Sequence, residues 1–328
     1  MASDDRTLAD VGEFALIDVL ARVFVASARR SVEVGIGDDA AVLAVPSGRV
    51  VVAVDQMVEG RHFRRDWSSA HDVGRKAAAR AMSDIAAMGA VPTALLVALA
   101  APGSLPLEWA RGLAEGLATE ASEVGASVVG GDTAESPTLV VSVTAFGDSG
   151  DRPVVTRSGA RPGDGVFLAG RLGRAAAGLT VLSRGHRQPK SVVAAHRTPE
   201  PPYAAGVAAA VAGATSMIDL SDGLLADARH IATSSGVVLD LDRSLLGGDD
   251  EVEAMARNFG LDVWEWVLAG GEDHALLATF APGAAVPAAF RRIGKVSEAP
   301  EGHEGFVLVD GSAHRGPGGH EHFMPPAD

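Results

Sequence analysis

Residues 216–241, SMIDLSDGLLADARHIATSSGVVLDL, contain a complete strand–helix–strand pattern and indicate the class of fold. A short apolar run ends at Asp219, an amphipathic stretch predicts a helix over 223–235, and Val237–Leu241 is a second apolar run. Glycine and aspartate stand at the joints, as is typical of turns between helices and strands. The pattern predicts an α/β protein with buried strands.

The same alternation extends along the chain. Val50–Val54 is a short apolar run bounded by Gly and Asp and predicts a buried strand. Residues 70–89 predict a helix, and Ser127–Val129 predicts a further strand. Near the C-terminus, GFVLVDGSAHR predicts a hairpin that turns at Asp310-Gly311, because Asp-Gly favours a two-residue turn.

Length and composition indicate two domains. The chain has 328 residues, of which 47% are hydrophobic and 5% aromatic; that length fits two domains with substantial cores. Residues 147–165, GDSGDRPVVTRSGARPGDG, are rich in Gly, Pro and Asp and predict a boundary near residue 150. We therefore expect one domain over 1–150 and another over 151–328.

Charge and residue usage exclude several classes of protein. The net charge is −14, with no stripe of Lys and Arg, so a nucleic-acid partner is not expected. Cysteine is absent, which removes disulfides and thiolate chemistry. The acidic N-terminus is unlike a signal peptide, and Asp18 and Arg22 interrupt the apolar stretch 14–25. We expect a cytoplasmic protein without a membrane span.

Several aspartates directly follow apolar runs. They are Asp38, Asp39, Asp55, Asp132, Asp219 and Asp222. Because ligands bind beyond the carboxyl ends of strands in open α/β sheets, these acids predict one acidic crevice. Converging carboxylates repel one another unless cations neutralise them, and such hard oxygen ligands favour Mg²⁺. Two alternatives stay open: Asp219 or Asp222 caps the following helix, and Asp132 forms a local turn.

Asp84 gives an independent indication of a metal site. On a helical wheel it falls between Val73 and Ala77, inside the apolar face of the helix predicted over 70–89. A buried carboxylate is costly unless it is paired or binds a metal. Metal binding is the favoured interpretation, and an ion pair with Arg80 is the alternative.

Glycine pairs accompany these acids at Gly130-Gly131 and Gly270-Gly271 and allow backbone amides to approach phosphates closely. The common kinase and P-loop motifs are missing from the sequence. A phosphate-transferring enzyme with this sequence therefore belongs to a less common class.

Seven motifs together resemble the thiamine-monophosphate kinase family, in that family's order and over almost the whole chain. They are GIGDDAAVL (35–43), VDQMVEGRHF (54–63), GRKAAARAMSDIAAMGA (74–90), GGDT (130–133), TRSGARPGD (156–164), MIDLSDGLLAD (217–227) and GGEDHALL (270–277). The resemblance implies an aminoimidazole ribonucleotide synthetase-like fold. Its N-terminal α/β domain would pair its sheet with that of a second subunit in a homodimer. Its C-terminal domain would have a mixed sheet flanked by helices and complete a cleft for ATP, several Mg²⁺ ions and thiamine monophosphate.

The resemblance also assigns roles to residues at the matching positions. The magnesium ligands it implies are Asp39, Asp55, Asp84, Asp132, Asp219 and Asp222. The ATP contacts are Gly131, Asp132, Arg157 and Ser221. The substrate contacts are His62, Glu272 and, in place of a usual aromatic residue, His320.

The sequence departs from the family pattern elsewhere too. Ala53 and Val54 replace a Ser/Thr pair before Asp55, and His274 and Ala275 replace the usual Tyr-Glu after GED.

The implied reaction is direct, in-line transfer of the γ-phosphate of ATP to thiamine monophosphate, giving thiamine diphosphate. The acceptor phosphate is already largely ionised near neutral pH, so no catalytic base is required. The alternatives are an ATP-using purine-synthesis member of the same superfamily and a non-catalytic magnesium–nucleotide sensor.

Overall fold

The structure is a computed structural model that describes residues 6–25, 32–34, 36, 41–300, 305–314 and 319. Asp38, Asp39 and His320 lie outside the described residues. The chain divides into two compact units: Met1–Ile85 with Ala90–Asp151, and Ala86–Gly89 with Arg152–Asp328. In the part of the chain that is described, no helix is both long enough and apolar enough to span a bilayer.

The first unit combines helices with a four-stranded sheet. Its described helices are α1 (Leu8–Val25), α2 (Ala70–Ala87, whose end belongs to the second unit) and α3 (Leu107–Glu123). Its strands are β1 (Val32–Val34), β2 (Val42–Leu43), β3 (Val51–Val58), β4 (Val91–Ala101), β5 (Ser127–Glu135) and β6 (Val140–Asp148). The main sheet has the order β3-β6-β4-β5. Strands β4 and β5 are parallel, since α3 connects them as a crossover, and the other pairs are antiparallel.

Helices α2 and α3 pack with their backbones in close contact. A Cβ atom on Gly74 would overlap the carbonyl of Leu113, and one on Gly116 would overlap that of His71. Beside this crossing, Arg75 of α2 forms a 2.7 Å ion pair with the nearly fully buried Glu120 of α3. The two glycines therefore fix how closely the helices approach.

The prediction of a short, buried strand is wrong for β3, and β5 is longer than the strand predicted over Ser127–Val129. Strand β3 continues past Asp55 to Val58 because every residue of it pairs with β6, and β5 continues past Val129 beside β4. Side chains of β3 alternate: Met57 is buried, whereas Val52 and Val54 are 51% and 67% exposed. One face of the sheet is therefore covered by helices of the same chain, and the other is open.

The second unit contains a seven-stranded mixed sheet flanked by helices. Its helices are α4 (Arg174–Ser183), α5 (Lys190–Arg197), α6 (Tyr203–Val211), α7 (Leu224–Ser235), α8 (Arg243–Leu246), α9 (Asp250–Phe259) and α10 (Val263–Ala269). Its strands are β7 (Gly165–Ala169), β8 (Ser216–Asp219), β9 (Val237–Leu241), β10 (Leu276–Phe280), β11 (Phe290–Glu298), β12 (Val307–Val309) and β13 (Ser312–Ala313). The order is β13-β12-β9-β11-β7-β10-β8, with only β12 and β9 parallel among these pairs.

Apolar clusters lie on both faces of this sheet. Leu168 and Leu277 belong to a cluster that includes residues of α7, and Met217 and Phe280 to one that includes residues of α6. Burial on both faces explains why β8 and β9 are continuous apolar runs, and both strands are confirmed with the predicted bounds. The hairpin is also confirmed: Asp310 and Gly311 have φ angles of 53° and 73° between β12 and β13.

Candidate functional site

The loop after β8, residues 219–223 (DLSDG), is held by a carboxylate that follows it. Oδ2 of Asp227, in the first turn of α7, accepts hydrogen bonds from the backbone N–H groups of Asp222 (3.0 Å) and Gly223 (3.1 Å). Gly223 has a φ of 119° and is the N-cap of α7 without any side-chain cap. Neither Asp219 nor Asp222 therefore caps this helix, which removes one alternative to a binding role.

Two acids of this loop, Asp219 and Asp222, lie close enough to Asp227 to affect its ionisation. Burial, followed by the charges of Asp219 and Asp222, raises the pKa of Asp227 to about 7, and the hydrogen bonds from the N–H groups of Asp222 and Gly223 partly oppose the change. Asp219 is also buried, and Asp222 is half-buried. Because adding negative charge here is unfavourable, the electrostatics of this group favour a cation.

The segment 270–275 (GGEDHA) pairs with this loop through its backbone. The N–H of Glu272 donates to the carbonyl of Ser221 (2.8 Å), and the N–H of His274 donates to that of Leu220 (2.9 Å). A Cβ on Gly271 would lie 2.5 Å from the Ser221 carbonyl oxygen, so only glycine fits there. The structure thus brings Ser221 and Glu272, predicted as ATP and substrate contacts, together.

Side chains of the same segment anchor it on two sides. Nδ1 of the buried His274 lies 3.1 Å from Oδ2 of Asp219. Asp273 accepts hydrogen bonds from the N–H groups of Gly173 and Ala175 at the start of α4, and burial raises its pKa to about 7. Oε2 of Glu272 lies 3.6 Å from Nδ1 of His196 on α5.

Arg157, predicted to contact ATP, belongs to a loop fixed against α7. Its carbonyl accepts a hydrogen bond from the Ser235 hydroxyl at the end of that helix (3.2 Å), and its side chain is exposed. Burial lowers the pKa of His230, Arg157 lowers it further, and Asp222 opposes the change. His230 therefore lies within electrostatic range of both residues, which relates Arg157 to the acidic loop.

In the first unit, Asp55 forms an ion pair with Arg80 of α2. Nε and Nη2 of Arg80 donate to its two carboxylate oxygens at 2.7 and 3.0 Å, and the N–H of Gln56 also donates to it. The Arg80 and Asp55 side chains are 10% and 22% exposed. Arg80, considered above as an alternative partner of Asp84, binds Asp55. Asp84 itself is half-buried between the fully buried Ser83 and Ile85.

Asp132 and Asp55 stand on the two edge strands of the first sheet. Asp55 is level with Val143, Val97 and Gly131, whereas Asp132 is level with Ala98 one position further along. Because side chains alternate between faces, this register directs Asp132 to the open face and Asp55 to the helix-covered face. Asp132 lies within β5, so its proposed local turn is wrong.

Glycine at position 131 has a steric explanation within the sheet. A Cβ there would overlap the carbonyl of Val97 on β4. Close approach of two strands therefore requires this glycine, whatever else it contacts.

His62, a predicted substrate contact, lies in a tight loop at the end of β3. Its Nδ1 accepts a hydrogen bond from the N–H of Val58 (3.0 Å), and its carbonyl accepts one from Nζ of the buried Lys76 of α2 (3.1 Å). The described residues contain no group of three or more His, Asp or Glu side chains that could hold a metal ion without further ligands.

Sequence reasoning did not identify Asp227, His274, Arg80 or Lys76 as parts of the site. Asp227 carried a usable signal, because a carboxylate in the first turn of a predicted helix can bind the backbone N–H groups that precede it. The partners of Arg80 and Lys76 lie on β3 and the loop after it, 14 to 25 positions away in sequence, and no local pattern indicates them.

Comparison with known proteins places the chain in a family. A family model described as AIR synthase related protein, N-terminal domain, matches residues 37–148. The thiamine-monophosphate kinase of Mycobacterium tuberculosis (strain H37Rv) is 46% identical over 330 residues, covering 99% of this chain and 96% of the relative. The crystal structure of thiamine-monophosphate kinase from Stenotrophomonas maltophilia K279a is 31% identical with a TM-score of 0.79, covering 93% and 98% of the two chains. The structure of AaThiL complexed with AMPPCP and TMP is 30% identical with a TM-score of 0.75, covering 94% and 96%. The fold, the acidic loop and this full-length similarity agree: the chain belongs to the thiamine-monophosphate kinase family.

Proposed function

We propose that this protein transfers the γ-phosphate of ATP to thiamine monophosphate and so produces thiamine diphosphate. The observation that carries the proposal is similarity over 99% of the chain, at 46% identity, to a thiamine-monophosphate kinase. A related structure complexed with AMPPCP and TMP supports the choice of ATP and thiamine monophosphate as substrates.

Magnesium fits the carboxylates of the second unit. Burial, followed by Asp219 and Asp222, raises the pKa of Asp227, so further negative charge at this loop is unfavourable and a cation would be favoured. Asp219 and Asp222 would hold the ion. Mg²⁺ is commonly bound by one or two carboxylates together with substrate phosphates and water, which agrees with the absence of a three-acid cluster among the described residues. When bound, the ion would neutralise phosphate charge.

The other predicted magnesium ligands are included in the proposal for different reasons. Asp84 and Asp132 are retained as magnesium ligands on the family resemblance, as is Asp39 outside the described residues. Asp55 is also retained, although Arg80 would have to yield at least one carboxylate oxygen to an ion.

The nucleotide and the acceptor would be bound by separate groups of residues. Gly131, Asp132, Arg157 and Ser221 are proposed for ATP. His62 and Glu272 are proposed for thiamine monophosphate, together with His320, which lies outside the described residues. Arg157 is exposed and therefore accessible to a phosphate.

Transfer would proceed in one step. A phosphate oxygen of thiamine monophosphate attacks the γ-phosphorus of ATP, and the bond from that phosphorus to the β–γ bridging oxygen breaks, which releases ADP. The attacking oxygen carries no proton near neutral pH, so the side chains need only position the two anions and offset their repulsion. Arg157 would contribute to that offset.

The test is an assay with purified protein, Mg²⁺, γ-labelled ATP and thiamine monophosphate. We expect label in thiamine diphosphate and, when the acceptor is omitted, no label on the protein. Label that stays with the protein and is chased into product by the acceptor would contradict direct transfer. Failure to label thiamine diphosphate would contradict the proposed substrate.

The open face of the first sheet supports the homodimer that the resemblance implies. Val52 and Val54 project from it at 51% and 67% exposure, and a monomer rarely leaves a large apolar patch exposed. We expect the wild type to sediment as a dimer and Val54→Lys to sediment as a monomer. Val211→Lys is the control, because Val211 is 71% exposed in the second unit. A monomeric wild type would contradict the proposed pairing.

A further inference from the structure

His274 is fully buried, and its side chain contacts a predicted magnesium ligand. Nδ1 lies 3.1 Å from Oδ2 of Asp219, and the residue is 1% exposed. We propose that His274 is a positioning residue, which holds the Asp219 carboxylate in the orientation that binds the cation. This inference rests on the proposed function, in which Asp219 is a magnesium ligand.

Backbone hydrogen bonds hold His274 in place independently of its side chain. Asp219 ends β8, and its register partner in β10 is Leu276, two residues after His274. The hydrogen bond from the N–H of His274 to the Leu220 carbonyl and the bond from the N–H of Leu220 to the Ala275 carbonyl extend this pairing. The imidazole therefore has a fixed base, and its hydrogen bond restricts rotation of the Asp219 side chain.

The chemistry of the contact determines which ring nitrogen carries the proton. Oxygens of an ionised carboxylate only accept hydrogen bonds, so Nδ1 must be the donor to Asp219. Nε2 is buried and has no hydrogen-bond partner. A buried polar atom without a partner lowers stability, so an apolar side chain would serve the core better. The retained imidazole indicates that the contact of Nδ1 with Asp219 has a function.

The comparable acid in the first unit is held differently. Both oxygens of Asp55 accept hydrogen bonds from Arg80, whose positive charge neutralises the carboxylate. His274 contacts one oxygen of Asp219, Oδ2, and so fixes the orientation of the carboxylate through a single hydrogen bond. Metal sites commonly orient their ligands through such outer hydrogen bonds.

Three substitutions of His274 distinguish the roles of its two ring nitrogens. Asn places an amide nitrogen at the position of Nδ1, Gln places one at the position of Nε2, and Phe supplies neither. His274 has a φ of 50°, a left-handed conformation that Asn tolerates better than Gln or Phe, so the three variants are compared after thermal unfolding shows equal folded fractions.

The measurement is Mn²⁺ binding to the full chain, by electron paramagnetic resonance in the presence of a non-hydrolysable ATP analogue. His274→Gln and His274→Phe should weaken Mn²⁺ binding by about 10–100-fold, the range typical of lost outer-shell contacts. His274→Asn should bind Mn²⁺ nearly as the wild type does. In turnover, Gln and Phe should raise the metal concentration required for half-maximal rate and leave the KM for thiamine monophosphate unchanged.

Two results would overturn the inference. One is folded His274→Phe that binds Mn²⁺ as tightly as the wild type, and the other is His274→Asn that fails as His274→Gln does. Failure of the proposed function would give a different result. If Mn²⁺ binding follows the predicted order of the variants but the wild type transfers no phosphate to thiamine monophosphate, only the proposed substrate is contradicted.

Discussion

Asp55 in the first unit and the group Asp219, Asp222 and Asp227 in the second unit show two ways in which a chain can place carboxylates. Asp55 receives two hydrogen bonds from Arg80, at 2.7 and 3.0 Å, so the chain itself supplies the balancing charge. In the second unit Asp219 and Asp222 lie close enough to Asp227 to affect its ionisation, and the pKa of Asp227 is raised to about 7 by burial and then by these two charges.

The difference teaches that one type of residue has different energetic roles in the two units. Removing the charge of Asp55 leaves Arg80 without that partner and should lower stability. Removing a charge from the second group relieves repulsion, and the loss should appear in cation binding and catalysis instead. A sequence pattern that treats all these aspartates alike cannot make this distinction.

The largest expected effect is on catalysis by Asp222→Asn. The amide removes one negative charge from the loop, so the rate should fall by about 1000-fold, as it does when a charge-stabilising group is lost from an active site. The fold should remain intact, since the side chain of Asp222 is half-buried and is not the group that binds the loop backbone. Steady-state phosphate transfer and thermal unfolding measure the two properties.

Asp250→Asn is the control for this variant, because Asp250 lies in the first turn of α9, away from the loop. It should keep wild-type turnover. Wild-type turnover of Asp222→Asn at limiting Mg²⁺ would show that the two acidic regions do not differ in the proposed way.

The second effect is a dependence of stability on pH that Asp227→Asn should remove. A folded-state pKa of about 7, against 3.8 for the free side chain, means that the folded protein keeps a proton which the unfolded chain has lost. Stability from this group is therefore present below pH 4 and is lost as pH rises to about 7, by roughly 4 kcal/mol in total. The free energy of unfolding of Asp227→Asn minus that of the wild type should therefore increase as pH rises from 4 to about 7.

Asp242→Asn provides a control of opposite sign. Hydrogen bonds from the hydroxyl and the N–H of Ser244 lower the pKa of Asp242, so its contribution is present above pH 4 and lost as pH falls. In urea denaturation, the stability difference from wild type should rise with pH between 4 and 8 for Asp227→Asn, whereas for Asp242→Asn it should be flat there and change in the opposite sense only below pH 4. Parallel pH dependences of the two variants would contradict the description of Asp227 as an acid whose ionisation is opposed.

Sequence periodicity predicted those elements whose pattern is decided by burial. Strands β8 and β9 were predicted with their observed bounds, because the sheet of the second unit is buried on both faces. Helix α6 was missed, since its alanine-rich sequence has no apolar periodicity, and β11 was missed because Arg291, Arg292 and Lys295 interrupt its apolar positions.

The candidate site was predictable where the residues are close in sequence. The loop after β8 places Asp219 and Asp222 on one turn, and the sequence shows both. Asp84, in the same helix, was considered only as an alternative partner of Arg80, and the structure shows Arg80 bound to Asp55, 25 residues earlier. Such pairings depend on how a helix packs on its sheet, which no local pattern specifies.

The smallest expected effect is the loss of stability in Arg80→Gln, and it tests whether Asp55 belongs with the neutralised acids. The pair is 10% and 22% exposed, so breaking it should lower the free energy of unfolding by about 2–3 kcal/mol, somewhat less than for a fully buried pair. Asp55→Asn in the same chain should restore part of that loss, because both charges are then absent.

Arg111→Gln is the matched control: Arg111 bridges Glu108 and Glu115 on the surface of α3, and its loss should change stability by less than about 1 kcal/mol. Additive effects of Arg80→Gln and Asp55→Asn would mean that the two side chains do not stabilise each other, and Asp55 would then have to be grouped with the repelling acids of the second unit.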